Sequence, residues 1–201
     1  MHAPYKNQKQ KILVKLKTVN YKLKYIFAAK KIEYRMKILM VCHGNICRSP
    51  LAEGILQHKA KMAGLNWQVE SAGTTSYHTG DEPHCHSQKV ARINGIDISD
   101  QCAQQFKKED MLKYDKIYVM DSENYIDVKR MSKELWNEER VELLLNELYP
   151  GKNIGVPDPW YGEEDGYHEV FRMISEACDA IIEKASENLS KREALKDAEK
   201  I

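Results

Sequence analysis

Short, unbroken apolar runs alternate along this chain with longer stretches in which apolar residues recur every three or four positions. Three runs, 37–42, 116–120 and 141–145, are typical of buried strands, and 68–71 is a weaker fourth. Strands that are apolar without interruption are buried on both faces, as they are in parallel sheets. The pattern therefore predicts a three-layer α/β fold, in which a four-stranded parallel sheet carries helices on both faces.

The longer stretches predict helices, two of them in some detail. The first is expected to begin at Ser49-Pro50, where an N-cap residue precedes proline, and its apolar stripe runs to Gly64. The second is expected over 165–189, where apolar residues fall on one face. The charged residues that follow, 190–201, are expected to fray.

Charge divides the chain in two. Of its 31 basic and 30 acidic residues, ten basic residues and one acidic residue lie in 1–35, so this segment carries +9 and 36–201 carries −8. Lysines interrupt the apolar runs of the first segment, which therefore does not resemble a signal peptide. It is either a basic arm that touches anionic surfaces or sequence upstream of a start at Met36, and in both cases we expect it to be poorly ordered and without chemistry. The predicted organisation is an N-terminal extension, 1–35, a domain, 36–189, and a charged tail, 190–201.

Composition argues against several classes of protein. No apolar run approaches the ~18 residues that span a bilayer, so no membrane partner is expected. The five cysteines lack the even count and spacing of a disulfide framework, and free thiols in a reducing cytoplasm are expected instead. The acidic body argues against a nucleic-acid-binding protein. His84-Cys85-His86, with His78 nearby, is a weak metal motif because alternating residues of a helix do not converge on one ion, and no metal is expected.

The residues that carry chemistry lie in 41–50, between the first predicted strand and the first predicted helix. A tight strand-to-helix loop turns successive backbone N–H groups toward one point, and the helix adds its positive N-terminal end. We expect Gly44 and Asn45 to adopt the positive φ that such a loop requires. The candidate phosphate-binding residues are His43, Gly44, Asn45, Ile46, Cys47 and Ser49.

Within this loop, Cys42 and Arg48 are the candidate catalytic residues. The guanidinium of Arg48 can donate two hydrogen bonds to two phosphate oxygens, and the positive field should favour the thiolate of Cys42, a nucleophile. The hydroxyl of Ser49 can hydrogen-bond the thiolate or the leaving phosphate. Taken alone, Cys42 would more often be a buried thiol at a strand end, but the whole loop favours the nucleophile. Neighbouring residues of a tight loop point apart, so the side chain of His43 is expected at the rim.

Cys47 leaves two alternatives open. It is either a small packed side chain or a thiol that traps an oxidised Cys42 as a reversible disulfide.

A thiolate that takes phosphate from an ester needs a proton donor for the leaving oxygen, and Asp158 is the best candidate. Two prolines flank it on a stiff loop, and Trp160 and Tyr161 supply aromatic walls. Taken alone, Pro-Asp-Pro is typical of a turn. The combination with the cysteine loop favours the proton donor.

On 41–50 and on Asp158-Pro-Trp-Tyr161, the chain resembles the low-molecular-weight protein-tyrosine phosphatases over about 36–189. The resemblance implies a flavodoxin-like fold, phosphotyrosine-containing protein substrates and a two-step hydrolysis through a cysteinyl-phosphate without metal or cofactor. It implies that Cys42 is the nucleophile, Arg48 the phosphate clamp and Asp158 the general acid. It further implies a hydrogen-bond network that supports the loop, an acidic side chain beside the loop and an aromatic mouth: Asn45, Ser49 and Ser71; Asp121; Tyr77, Trp160 and Tyr161.

The chain departs from the family pattern at three positions. Asp100 and Gln104 stand where the family usually has a histidine and an arginine, so the histidine part of the supporting network is in question. Trp160 replaces a more usual tyrosine and keeps its stacking face.

Three alternatives to a tyrosine phosphatase remain. A thiol-dependent arsenate reductase needs two further cysteines close together, which Cys85, Cys102 and Cys178 do not provide. A protein-arginine phosphatase carries threonine where this chain has Ile46, whose aliphatic side chain suits a flat phenyl ring. A phosphate-binding module without activity would not need both Cys42 and Asp158.

Overall fold

The computed structural model describes residues 35–198, and the predictions for residues 1–34 and 199–201 lie outside it. Its four strands are β1 Lys37–Cys42, β2 Gln68–Gly73, β3 Lys116–Val119 and β4 Val141–Leu143. All pairs are parallel, and the strand order is β2-β1-β3-β4. The predicted four-stranded parallel sheet is thereby confirmed.

Five α-helices surround the sheet within the described residues: α1 Arg48–Met62, α2 Cys85–Ile93, α3 Asp110–Lys113, α4 Ser122–Ser132 and α5 Glu164–Ala198. Short 3-10 turns complete the connections, at Lys133–Leu135, Glu138–Arg140, Leu144–Glu147 and Pro159–Tyr161. No helix of residues 35–198 is long and apolar enough to cross a membrane.

Alternate residues of β1 enter two separate cores, because side chains of a strand point to opposite faces in turn. Ile38 packs in the core that holds Leu51 of α1 and Ile174 of α5. Its neighbour Leu39 packs in the other core, with Val128 of α4. Burial on both faces explains why the strand is apolar without interruption, and it confirms the three-layer α/β architecture.

Four predicted elements end at other residues than expected: β2 ends at Gly73 rather than at 71, β3 at Val119 rather than at 120, and β4 and α5 also differ. β4 ends at Leu143 rather than at 145, because the next residues turn into the 3-10 segment Leu144–Glu147 while Leu144 and Leu145 stay buried. α5 does not fray after 189 but continues to Ala198. After Gly166 it contains no glycine or proline, so no helix-breaking residue interrupts it.

The start of α1 also differs from the prediction. The helix begins at Arg48 with Cys47 as N-cap, and Ser49 lies inside its first turn. Pro50 is tolerated as the third residue, because the first amides of a helix have no acceptor within it. The hydroxyl of Ser49 is thus available for partners outside the helix.

The site is fixed by the order of the strands. From β1 the chain crosses to β2 on one side and later to β3 on the other, so the direction of winding reverses at β1. In open α/β sheets a crevice forms at such a reversal, outside the carboxyl ends of the strands. Cys42 is the last residue of β1 and stands at that crevice.

Candidate active site

The loop between β1 and α1 closes tightly over the end of the sheet. Asn45 has a φ of 58°, in the left-handed region, as predicted. Gly44, for which a positive φ was also predicted, does not have one, so the prediction is wrong for that residue. Its lack of a side chain serves close packing instead, since a Cβ there would lie 3.1 Å from Cδ2 of His78.

The end of β2 supports the loop from below. A Cβ on Gly73 would lie 2.8 Å from the carbonyl oxygen of His43 and 3.0 Å from the carbonyl carbon of Gly44. The same carbonyl of His43 accepts hydrogen bonds from the amide and the hydroxyl of Thr75, at 3.0 and 3.1 Å. The loop backbone therefore rests directly on β2 and on the residues that follow it.

The sulfur of Cys42 is buried and has two polar neighbours. Its Sγ lies 3.0 Å from Oγ of Ser49 and 3.3 Å from the amide nitrogen of Asn45, which donates to it. Donors that point at a sulfur stabilise its anionic form. The loop thus brings together Cys42, Asn45 and Ser49, as predicted.

The side chain of Asn45 holds the loop to its surroundings. Its Nδ2 donates to Oγ of Ser49 at 2.9 Å and to Oγ of Ser71 at 2.8 Å, and its Oδ1 accepts from the amide of Gln104 at 2.8 Å. Since Asn45 is 2% exposed, water does not compete for these bonds. The network that the family resemblance implied for Asn45, Ser49 and Ser71 is present in the geometry.

Gln104, one of the departures from the family pattern, joins this network. Besides its amide bond to Asn45, its Nε2 donates to the carbonyl oxygen of Ser71 at 2.9 Å. Asp100, the other departure, is exposed. A neutral amide therefore supports the loop beside Ser71.

Arg48 is buried beneath the pocket and held from both sides. Its Nη1 donates to Oδ2 of Asp121 at 2.5 Å and to the carbonyl oxygen of Val156 at 3.1 Å, and its Nη2 donates to Oδ2 of Asp158 at 2.7 Å. Burial alone would lower the pKa of Arg48, but Cys42, Asp158 and Asp121 together keep this pKa above its usual value. The guanidinium is permanently charged and fixed in orientation.

Among the described residues 35–198, no group accepts a hydrogen bond from the buried Nε of Arg48. A buried donor without an acceptor is costly, and native proteins rarely leave one unless a ligand or water completes it. Nε is one of the three nitrogens of a guanidinium that lies near Cys42. An oxygen of a bound oxyanion is the acceptor that matches such a group.

Asp121 and Asp158 each use their second carboxylate oxygen to fix the chain locally. Oδ1 of Asp121 accepts from the amide of Asn124 at 2.7 Å and caps α4. Oδ1 of Asp158 accepts from the amide of Trp160 at 3.1 Å and caps the 3-10 turn that follows. The turn interpretation of Asp158 is therefore correct, and the same side chain also reaches Arg48.

A pocket of about 220 Å³ opens above the sulfur. Exposed aromatic side chains stand at its mouth, Tyr77 with 83% and Trp160 with 45% of their surface accessible. The backbone of Tyr161 lies in the 3-10 turn, and its side chain lies outside the described part of the structure. The residues that line the pocket are Cys42, His43, Gly44, Ile46, Cys47, Arg48, Tyr77, His78, Asp158 and Trp160.

Two histidines that the sequence did not predict as site residues pack against Trp160 at the entrance of the pocket. His78 binds Asp81 through Nδ1 at 2.9 Å, and its ring centroid lies 5.9 Å from that of Trp160. His84 packs edge-on against Trp160 at 5.4 Å and stacks on Tyr167 at 5.3 Å. In the sequence, the spacing of His78 and His84 indicates only a weak metal motif. No group of three or more metal-ligating side chains occurs among residues 35–198.

Cys47 is packed below the loop. Its side chain is buried with Val90 and Ala103, and its Sγ lies 3.6 Å from the hydroxyl of Tyr167. Burial raises the pKa of Cys47 to about 12. Cys47 is therefore a protonated thiol at neutral pH, which fits the packed side chain and leaves the redox alternative untested.

Comparison with known proteins agrees with this geometry. A family model described as low molecular weight phosphotyrosine protein phosphatase matches residues 37–194. The human low molecular weight phosphotyrosine protein phosphatase is 35% identical over 150 residues, which cover 74% of this chain and 94% of the human protein. The Bacillus subtilis low molecular weight protein-tyrosine-phosphatase YfkJ is 33% identical over 149 residues, 73% of this chain and 94% of that protein.

Solved structures show the same similarity. The crystal structure of Bacillus subtilis YfkJ has a TM-score of 0.71 at 31% identity and covers 78% of this chain and 98% of its own. A protein tyrosine phosphatase from Entamoeba histolytica, crystallised with Hepes in its active site, has a TM-score of 0.69 at 33% identity, covering 76% of this chain and 98% of its own. The chain therefore belongs to the low molecular weight phosphotyrosine protein phosphatase family, and it is an enzyme of the phosphoric monoester hydrolase class.

Proposed function

We propose that this protein removes phosphate from phosphotyrosine in proteins through a cysteinyl-phosphate intermediate. Cys42 is the nucleophile, Arg48 holds the phosphate, and Asp158 is the general acid. The observation that carries the proposal is a single pocket lined by both Cys42 and Arg48, a guanidinium whose Nε has no hydrogen-bond partner in the described part of the protein. A phosphate oxygen on that atom would bring the phosphorus toward the sulfur.

In the first step, the Cys42 thiolate attacks phosphorus, a P–S bond forms and the P–O bond to the phenol breaks. Asp158 donates its proton to the departing oxygen, which supports the step because phenolate is then released as phenol. Asp158 lies at the mouth side of Arg48, with its side chain 39% exposed, where a leaving group would emerge.

In the second step, water attacks the phosphorus and the P–S bond breaks. Asp158, now ionised, accepts a proton from that water, and inorganic phosphate leaves with Cys42 again a thiolate. Ser49 supports both steps, since its hydroxyl lies 3.0 Å from the sulfur and can donate to the thiolate as it departs.

The mouth supports an aryl substrate. Tyr77 and Trp160 offer exposed aromatic faces, and Ile46 lines the pocket below them. Aromatic rings pack well in offset or edge-on pairs, so a phosphotyrosine ring fits between these side chains. The substrates are therefore phosphotyrosine-containing proteins, and no nucleic acid or membrane partner is part of the proposal.

The arginine phosphatase remains the second candidate. Bacillus subtilis YwlE, described as an arginine phosphatase, shares 24% identity with this chain, and that similarity extends to the fold alone. Ile46 has no polar atom to receive a guanidinium, which favours the phenyl ring. The arsenate reductase gains no support, because Cys178 lies fully in the core while Cys85 and Cys102 are exposed.

We also propose the bounds of the catalytic domain and the cellular compartment of the protein. The catalytic domain spans 36–189, with 1–35 as an extension and 190–201 as a tail. The location is the cytoplasm, because a nucleophilic thiolate persists in a reducing compartment.

The test is hydrolysis of p-nitrophenyl phosphate and of a phosphotyrosine peptide without added metal. Cys42→Ser should abolish both, whereas Cys85→Ser, which removes an exposed thiol outside the pocket, should leave them unchanged. Activity that survives Cys42→Ser contradicts the mechanism. Turnover of phosphoarginine without turnover of the aryl phosphates contradicts the substrate.

A further inference from the structure

The hydrogen bonds that support Cys42 continue through the protein to a carboxyl group. Ser71, which accepts from Asn45 at 2.8 Å, lies 2.6 Å from Oε2 of Glu53 and donates to it. Glu53 lies on α1, one turn beyond Ser49, and it is partly buried. We call the chain from Glu53 through Ser71, Asn45 and Ser49 to Cys42 the relay.

The directions of the hydrogens in the relay follow from its geometry. The two hydrogens of Nδ2 of Asn45 go to Ser49 and Ser71, one to each hydroxyl oxygen. The hydroxyl hydrogen of Ser71 is then free for Glu53, and that of Ser49 is free for Cys42. Ser49 has one other acceptor within reach, the carbonyl oxygen of Ala72, at a longer 3.4 Å. The relay therefore presents a hydroxyl donor to an acceptor at each end.

We propose that Glu53 is a positioning residue of the phosphate-binding loop, whose carboxylate anchors the relay and so directs the hydroxyl of Ser49 at the sulfur of Cys42. The proposal rests on Cys42 being the nucleophile, as proposed above. Glu53 lines no part of the pocket and acts through Ser71 and Asn45.

The surroundings of Glu53 make its charge variable. From β2 it faces Glu70, and from the segment after α2 it faces Asp100, so both charged neighbours are acidic. Glu70 is itself bound to Lys113, whose Nζ lies 2.7 Å from Oε2 of Glu70. The neutral neighbours include Ser71, which donates to Glu53, and Tyr114, whose hydroxyl binds Glu70 and whose pKa is raised in part by the charge of Glu53.

Burial and this acidic neighbourhood raise the pKa of Glu53 to about 7, against the lowering by the bond from Ser71. Oε1 of Gln101, a neutral acceptor next to Asp100, is buried and has no hydrogen-bond partner within the part of the chain that the structure describes. The protein thus holds Glu53 where both its forms are populated near neutral pH.

The ionised form is the one that anchors the relay. A carboxylate accepts a shorter and stronger hydrogen bond than a neutral carboxyl does. When Glu53 is protonated, Ser71 is held less firmly and Asn45 is less well oriented. As Glu53 ionises with rising pH, kcat/KM for an aryl phosphate should therefore gain about fivefold relative to Glu53→Gln, in which the ionisation of Asp158 acts as it does in wild type; this relative gain is the step.

The experiment is the pH profile of kcat/KM for p-nitrophenyl phosphate between about pH 5.5 and 8.5, with the titration of Glu53 followed by carbon-13 NMR of its carboxyl. Wild type should show the step, centred near the midpoint that NMR gives. Glu53→Gln keeps an oxygen acceptor for Ser71 but does not titrate, so its profile is the baseline against which the step is measured. Glu142→Gln, a matched change at a surface pair with Lys116, should retain the step.

Asp100→Asn provides a second test that keeps Glu53 in place. It removes a repelling charge at an exposed position, so the step and the NMR midpoint should both move to lower pH. A ratio of wild type to Glu53→Gln that does not change with pH, or a step that stays in place in Asp100→Asn while the NMR midpoint moves, overturns the proposal. The NMR titration is read without turnover, so it is independent of the test of Cys42 as nucleophile.

Discussion

The Nη2 of Arg48 donates a hydrogen bond to Oδ2 of Asp158 across 2.7 Å. The proposed phosphate clamp and the proposed acid are thus bound to each other. A phosphate that enters the pocket must share Arg48 with this carboxylate. Asp158 therefore has two opposing effects, since it supplies a proton but its negative charge repels the anion that it serves.

Asp158→Asn should separate these effects. Loss of the proton donor should lower kcat for a phosphotyrosine peptide by about 100-fold or more. Inorganic phosphate should inhibit more strongly, because the neutral amide no longer repels it. Steady-state kinetics with phosphate as inhibitor measure both. Glu163→Gln on the same loop is the control, and weaker phosphate inhibition in Asp158→Asn would refute this account of the contact.

Asn45→Ala should damage the site more than its small size suggests. It loses three hydrogen bonds of the side chain and places alanine at a φ of 58°, which together should cost about 3 kcal/mol of unfolding free energy and most of the activity. Urea denaturation and kcat/KM measure the two losses. Asn153→Ala is the matched control, since Asn153 has a φ of 53° and does not line the pocket, so it should lose stability only. Equal activity in the two variants would contradict the role of Asn45.

Gly73→Ala should displace the phosphate-binding loop. A Cβ would stand 2.8 Å from the carbonyl oxygen of His43, and the neighbouring atoms belong to the backbone, which cannot turn aside. We expect a loss of about 1 to 3 kcal/mol and a strong fall in kcat/KM. Gly166→Ala in α5, where a Cβ makes ordinary contact at 3.8 Å, is the control and should retain activity. Full activity in Gly73→Ala would show that the loop is not held by β2.

Oxidation by peroxide distinguishes the two interpretations of Cys47. Peroxide converts the Cys42 thiolate to a sulfenic acid, and attack by Cys47 would release water and form a disulfide. If Cys47 serves this role, the disulfide stops further oxidation, so a thiol reductant should restore wild type after excess peroxide. In Cys47→Ser, excess peroxide should carry Cys42 on to the sulfinic acid, which a thiol reductant does not reduce, so activity should not return. Mass spectrometry identifies the bond, and Cys102→Ser is the control. Equal recovery in both variants would leave Cys47 as a packing residue.

The raised pKa of Glu53 also predicts a pH dependence of stability. Because the folded pKa, about 7, exceeds the ordinary 4.5, folding favours the protonated form, and its stabilisation is complete below about pH 4.5. It is lost as the pH rises to 7, by at most about 3 kcal/mol. Urea denaturation of wild type and Glu53→Gln between about pH 4 and 8 measures the difference, which should grow in favour of the variant as the pH rises. A constant difference would mean that Glu53 titrates normally.

The sequence alone predicts the four-stranded sheet and the contacts between site residues that lie close to one another in the chain. β1 was predicted with its observed bounds, because a strand buried on both faces leaves an unbroken apolar run. The contacts of Asn45 with Ser49 also follow from one short loop, whose shape is restricted by a left-handed residue and a helix start.

Other features depend on packing that the chain does not display locally. Glu53 contacts Ser71 only because α1 lies beside β2. A glutamate in a helix is usually exposed, so the sequence does not predict that this carboxyl is partly buried. Ser49 was read as an N-cap, but its hydroxyl serves Cys42 and Asn45 instead. The histidines around Trp160 are brought together by the fold, and their spacing in sequence, a weak metal motif, does not predict this contact.

Two hydrogen bonds fix Val156, two residues before Asp158, to Met120, the residue that follows β3, and to Arg48 of α1. The amide of Val156 donates to the carbonyl oxygen of Met120 at 2.7 Å, and its carbonyl accepts from Arg48 at 3.1 Å. The backbone that carries Asp158, the proposed proton donor, is thus held rigidly. When a phosphate binds, the side chain of Asp158 moves and its backbone does not. Amide hydrogen exchange at residue 156 should accordingly be as slow as in the central strands, before any substrate is added.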